Sequence, residues 1–110
     1  MTLKHFAKTL LVSASLTLAA ASAHAEGIGA SLLTQQHPFY NELAKAITAE
    51  AEAKNVSVEI SIANQDLNKQ LADIEDFIVK GVDVIIMSPV DSKGALAAVA
   101  RAKAAGIKVI

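Results

Sequence analysis

The sequence predicts an α/β fold built on a doubly wound parallel sheet with strand order 2-1-3-4. Three observations lead there. From Gly27 onward, apolar runs alternate with amphipathic stretches, the succession expected when strands and helices take turns in a parallel sheet. The second apolar run has a strict two-residue period, which places one face in solvent and marks a sheet edge. The third is apolar almost throughout, the pattern of a strand covered on both faces in the interior of a sheet.

Ahead of these elements lies a segment of another kind. Lys4, His5 and Lys8 stand without any acid, an apolar run covers residues 10–21, and Ala23-His24-Ala25 closes it. This is the layout of a secretory signal, with small residues flanking the cut. Residues 1–25 are therefore expected to be a signal peptide removed after Ala25, and residues 26–110 the folded domain. The apolar run is too short and too rich in alanine for a stable membrane span. Removing two lysines and no acid takes the net charge from −1 to −3, which gives nucleic acid nothing to bind. With no cysteine, disulfides, thiolate metal sites and a lipidated anchor are all excluded. A freely soluble protein between two membranes, the periplasmic location, is expected.

Each element has its own signal. Residues 27–33 read as the first strand, and residues 38–54 as a helix in which Leu43, Ile47 and Ala51 recur every four residues; Pro38 suits the first helical turn. In the second strand, residues 56–63, Val56, Val58, Ile60 and Ile62 share one face while Ser57, Glu59 and Ser61 share the other. A helix over residues 67–80 follows, with an expected buried stripe of Leu67, Leu71, Ile74 and Ile78 and a stop at Gly81, where glycine accommodates a left-handed closing turn. Residues 82–87 form the third strand. Asp91 or Ser92 is expected to cap a third helix running to Ala105, with Leu96 and Val99 inward and Gly106 as its stop. Residues 107–110 begin a fourth strand, and because nothing follows to cover it, the chain is expected to be part of a longer one.

In an open parallel sheet the ligand crevice lies at the carboxyl ends of the strands, where the strand order reverses. Here the reversal falls between the first and third strands. Two loops face it. One is Thr34-Gln35-Gln36-His37-Pro38-Phe39-Tyr40, which combines amide and imidazole groups with two aromatic rings. The other is Ser88-Pro89-Val90-Asp91-Ser92. Sugars alternate hydroxyls with C–H faces, so a site for them needs hydrogen-bonding side chains and a flat ring. The candidate contacts are Gln36, His37, Phe39, Tyr40, Ser88 and Asp91.

Each candidate also has a structural role open to it. His37 serves equally as a ligand contact or as the cap of the helix at Pro38, and one of Phe39 and Tyr40 is expected to pack while the other stacks on ligand. Asp91 is read as a helix cap before a ligand acceptor, and Asn64 and Asp66 as turn and cap residues. Asp73, Glu75 and Asp76 form an ion-paired, solvated face with Lys69 and Lys80. After cleavage His37 is the one remaining histidine, so no histidine metal site is expected, and no cofactor is expected either. Gly27-Ile28-Gly29 stands at the beginning of a strand instead of in the turn after it, which argues against a dinucleotide fingerprint, and no nucleophile elbow or phosphate loop occurs. A doubly wound enzyme is thereby disfavoured.

Four blocks carry a specific resemblance: His37-Pro38-Phe39-Tyr40; Asn64-Gln65-Asp66; the run from Lys80 through Val84-Ile85-Ile86-Met87-Ser88-Pro89-Val90-Asp91; and Ala105-Gly106-Ile107-Lys108-Val109-Ile110. In this order the chain resembles the ribose/galactose-type periplasmic sugar-binding proteins of ABC importers, which have the type I periplasmic-binding fold. The resemblance implies two similar lobes closing on a ligand, of which residues 26–110 are a partial N-terminal lobe. It implies a monosaccharide or related small polyol as ligand, a membrane permease as partner, and a chemoreceptor as a second. It also implies that His37, Phe39 and Tyr40 touch the sugar, with His37 standing where the family has asparagine. Sugar-sensing transcription regulators share the fold but begin with a DNA-reading helix-turn-helix, whereas this chain begins with an export signal.

Overall fold

The computed structural model describes residues 27–110, so the expected signal peptide and its cleavage point lie outside the described residues. The elements run β1 (Gly27–Leu32), α1 (Pro38–Ala53), β2 (Ser57–Ile62), α2 (Leu67–Lys80), β3 (Val84–Met87), α3 (Leu96–Ala104) and β4 (Lys108–Val109). All strand pairs are parallel, in the order β2-β1-β3-β4, as the alternation and the exposed face of the second strand predict. The register aligns Ile28 with Val58 on one side and with Val84 on the other.

Period-two alternation assigns the faces of β1. Gly29 lies against the ring of Phe77, and Ser31 hydrogen-bonds Gln70, so this face looks toward α2. Ile28, Ala30 and Leu32 consequently look toward α1. On the first side α2 and α3 pack together over a cluster of Ile74, Phe77, Ile85, Ala98, Ala102 and Ile107, edged by Leu71, Met87 and Val109. On the other side α1 packs on β2, and a groove of about 310 Å³ runs between α1 and the sheet, lined by Ile28, Ala46, Ile47, Ala51, Val56 and Ile86.

Three expectations are corrected. The buried residues of α2 are Gln70, Ile74 and Phe77, with Leu67, Leu71 and Ile78 only half-buried. The face that turns inward is therefore the 67-70-74-77 row, rotated from the stripe drawn through the aliphatic residues. β3 is not covered on both faces: Ile85 is buried against the helices, while Val84 and Ile86 on the α1 side are half-buried. The third helix starts at Leu96, which is exposed instead of inward while Ala98 and Ala102 are buried, and residues 92–95 form a turn instead of its first turn of α-helix. Asp91 still caps, accepting from Gly94 N–H at 2.8 Å, and its carbonyl accepts from Ala95 N–H at 3.0 Å. The remaining stops are as expected, with Gly81 left-handed at φ 69° and Gly106 at φ 81°.

Asp83 fastens the start of the sheet. Its Oδ2 accepts from Gly27 N–H at 2.8 Å, while its own N–H donates to the Gly27 carbonyl at 2.8 Å. A side chain that reads as an odd acid in an apolar run thus closes the end of the β1–β3 ladder.

Candidate functional site

β1 and β3 are adjacent and parallel, so the chain leaves both at the same edge of the sheet. It then departs to opposite faces, into α1 from β1 and into α3 from β3. This divergence sets the two loops at the switch point of the sheet, the place where the ligand crevices of open α/β folds form.

The first loop is held at its base and presents its middle. Thr34 is buried, and its Oγ1 accepts from Gln36 N–H at 3.0 Å. The Gln35 carbonyl accepts from Asn41 Nδ2 on α1 at 3.2 Å. Between these ties Gln35, Gln36 and His37 are exposed. His37 is extended, at φ −109° and ψ 128°, and its Nδ1 accepts from Phe39 N–H at 3.1 Å. It is therefore the N-cap of α1, the structural half of the expectation, with Pro38 in the first turn. With Nδ1 as acceptor the neutral ring carries its proton on Nε2, a donor for a hydroxyl.

Neither aromatic ring is a core side chain. Phe39 is 58% exposed, and Tyr40 is half-buried. Their rings meet edge-on, with centroids 5.1 Å apart and planes at 82°, and His37 lies 6.3 Å from Tyr40 at 78°. Such edge contacts are favourable for ring quadrupoles and leave ring faces available. The packing expected for one of the rings is thus partial, and falls to Tyr40.

The second loop is fixed from beneath. Ser88 N–H donates to the Ser31 carbonyl at 2.9 Å, extending the ladder one step past β3. Gln70, fully buried, donates from Nε2 to Ser31 Oγ at 3.1 Å and to the Ser88 carbonyl at 2.9 Å. Its Oε1 accepts from Val90 N–H at 2.8 Å. Above this network Ser88 is half-buried and Asp91 is exposed. Sequence reasoning passed over Gln70, although a glutamine in step with Leu67, Ile74 and Phe77 at helical spacing was the available signal.

The loop after β2 borders the same edge, with Gln65 N–H bonded to the Leu33 carbonyl at 2.9 Å. Asn64 and Gln65 are left-handed, at φ 53° and 60°, and Asp66 Oδ1 accepts from Lys69 N–H at 3.2 Å. These are the turn and cap roles expected of Asn64 and Asp66. Among the described residues no group of three or more histidine, cysteine or acidic side chains is arranged to hold a metal. The displaced ionisations lie elsewhere. Donating to Glu59 and Asp76 holds the Lys80 ammonium above its usual value, and Lys54 holds the Glu50 carboxyl below its own.

Residues 28–110 match the family described as periplasmic binding protein domain. The chain belongs to that family. Among curated relatives, this periplasmic binding domain is 40% identical over 83 residues to the ribose import binding protein RbsB of Bacillus subtilis (strain 168), covering 76% of this chain and 27% of that protein. It is 32% identical over 100 residues to the D-apiose import binding protein of Paraburkholderia graminis, covering 88% and 32% respectively. Among solved structures, it is similar to an ABC transporter solute binding protein from Mycobacterium smegmatis with bound glycerol. That likeness has a TM-score of 0.74 and 46% identity, over 77% of this chain and 30% of the other. The chain thus spans about a third or less of the length of each of these relatives.

Proposed function

We propose that this chain supplies the first part of the ligand-binding lobe of a solute-binding protein for an ABC importer, and that its ligand is a monosaccharide or small polyol taken up in the periplasm. The observation that carries this reading is the crevice between the β1–α1 and β3–α3 loops. Exposed hydrogen-bonding groups and an exposed ring stand there at the point where the strand order reverses, in a domain of the periplasmic binding family. Names of the relatives support the ligand class, since one imports ribose, another D-apiose, and a third holds glycerol.

In this reading His37 Nε2 and the Gln36 amide donate to ligand hydroxyls, and Phe39 or Tyr40 covers an apolar C–H face. Ser88 and Asp91 bind from the opposite rim, Asp91 through the carboxylate oxygen not engaged by Gly94. A second lobe completes the site and excludes water. The proposed role is binding without chemical conversion, followed by delivery to a membrane permease, with a chemoreceptor as a further partner. Residues 1–25 act as the cleaved export signal.

Chemical-shift mapping of the processed chain tests the reading. Titration with ribose, glycerol and myo-inositol is expected to move amides of residues 34–40 and 88–91 together, with weak affinity because half of the closing contacts are missing. Shifts confined to another surface, or none with any of the three, would remove the crevice from consideration.

A further inference from the structure

We propose that Gln70 is the positioning residue of the crevice: its buried amide locks the β3–α3 loop onto β1 and so holds Ser88 and Asp91 in their binding geometry. The proposal rests on the reading of the crevice as the ligand site. It adds to that reading a residue that lies on neither rim.

Three features single Gln70 out. It is fully buried at the end of the first turn of α2, where an apolar side chain would satisfy the helix face equally well. Burying an amide is costly unless its donors and acceptor are satisfied, so its presence calls for a role that packing alone does not supply. Here both donor hydrogens and the carbonyl oxygen are engaged, on three different residues of two different segments. The network fixes which way round the amide sits, because only oxygen can accept from Val90 N–H and only nitrogen can donate to the Ser88 carbonyl.

The contacts bracket Pro89. Gln70 takes the carbonyl before it and the N–H after it, so both peptide planes flanking the proline are set by one side chain. Ser88 N–H is already committed to the Ser31 carbonyl. With these groups turned inward, the loop leaves Pro89 and Asp91 exposed and Ser88 half-buried beside them. Of the other buried polar side chains among the described residues, Ser31 bonds Gln70 itself and Thr34 bonds Gln36. A loop held this way enters ligand binding already ordered and loses less entropy on association.

Two substitutions separate positioning from core packing. Gln70→Glu keeps the shape but makes the network depend on protonation. A neutral carboxyl can donate to the Ser88 carbonyl and accept from Val90 N–H, whereas a carboxylate sets oxygen against the Ser88 carbonyl oxygen. Burial raises the pKa of such a group, so the acid form persists into the mildly acidic range. Its partners Ser31, Ser88 and Val90 carry no charge; the ionisable groups near it in sequence are Asp66, Lys69 and Asp73 on α2 and Asp91 and Lys93 beyond β3, with Lys69 and Asp73 paired to each other. Ser31→Ala removes the third contact and leaves the two loop bonds.

The experiment follows Val90 amide exchange and the ribose, glycerol and myo-inositol titrations in the full processed chain, in the wild type and both variants, at pH 5.5 and 8.5. For Gln70→Glu, Val90 protection and probe affinity are expected to match the wild type within a few-fold at pH 5.5. At pH 8.5 both should fall by roughly tenfold or more, the scale of one buried hydrogen bond left unmade. Ser31→Ala is expected to leave both unchanged. If Gln70→Glu fails to fold, Gln70→Leu replaces it and should lose Val90 protection at either pH. Equal behaviour of Gln70→Glu at the two pH values, or loss of Val90 protection in Ser31→Ala, would overturn the proposal. Should no probe bind the wild type while Val90 protection responds as described, the binding reading fails and the loop lock stands.

Discussion

Replacing Gly29 by alanine tests the packing that places the crevice strands. A Cβ built on Gly29 falls 2.5 Å from Phe77 Cγ, with Cδ2 at 2.6 Å and Cδ1 at 2.7 Å, against an ordinary contact of 3.4–4 Å. About 1 Å of separation must come from somewhere. Phe77 is fully buried and the contacted atoms are at the root of its ring, so the ring has no room to swing aside. β1 is hydrogen-bonded on both sides, to β2 and β3, and resists displacement. Overpacking of this kind costs about 1–3 kcal/mol. The extra buried methyl and the stiffer unfolded chain return about 1 kcal/mol, leaving a net loss of up to about 2 kcal/mol. In urea, with a slope near 1 kcal/mol/M for a small domain, the midpoint should fall by up to about 2 M. Gly94→Ala is the control: its new methyl meets Leu67 Cδ2, the far end of a half-buried side chain that can turn away, and the midpoint should barely move. In a Phe77→Ala background the contacted ring atoms are gone, and Gly29→Ala should become stabilising by filling the cavity. A Gly29→Ala midpoint above that of the wild type would refute the reasoning.

Further expectations concern the fastening of the sheet, its ion pairs and export. Asp83→Ala leaves Gly27 N–H without its side-chain acceptor and should cost about 1–3 kcal/mol, with faster exchange at the Gly27 amide than at Ile85. Lys80 joins α2 to the edge strand through Glu59 at 2.7 Å and also meets Asp76 at 2.9 Å. Its pKa is raised above the model-compound value of 10.5, so this contribution is whole below that pH and is lost as pH rises through the folded-state value. Thermal midpoints should therefore decline above pH 10.5 more steeply in the wild type than in Lys80→Gln. For export, the mass of the protein released from cells by osmotic shock should correspond to a chain beginning at Glu26, and an unprocessed chain retained in the cytoplasm would contradict the signal reading.

The strand order and the two loops at its switch point were legible because they depend on coarse signals. Strict alternation in β2 sets the edge, and the reversal between β1 and β3 follows from it. What escaped depends on contacts between segments. Phe77 was missed because the aliphatic residues of α2 suggest a stripe one position away, and only the bare backbone at Gly29 gives the ring its berth. Gln70 was missed because a lone polar residue in an amphipathic helix reads as surface until Ser31, Ser88 and Val90 are known to converge on it. The start of α3 was set too early because Asp91 is a good cap, and the sequence does not distinguish capping a turn from capping a helix. For His37 both roles were open, and the bond from Phe39 N–H supplies the capping one through Nδ1 alone.

The central claim is that a polyhydroxylated ligand settles beside Tyr40. The chain has one tyrosine and no tryptophan, so its intrinsic ultraviolet fluorescence reports on that loop alone. Titrating the processed chain with ribose, glycerol and myo-inositol should give a saturable change with at least one of them, weakened by His37→Ala. A tyrosine signal that stays flat with all three, at concentrations where calorimetry or chemical shifts register binding, would contradict it.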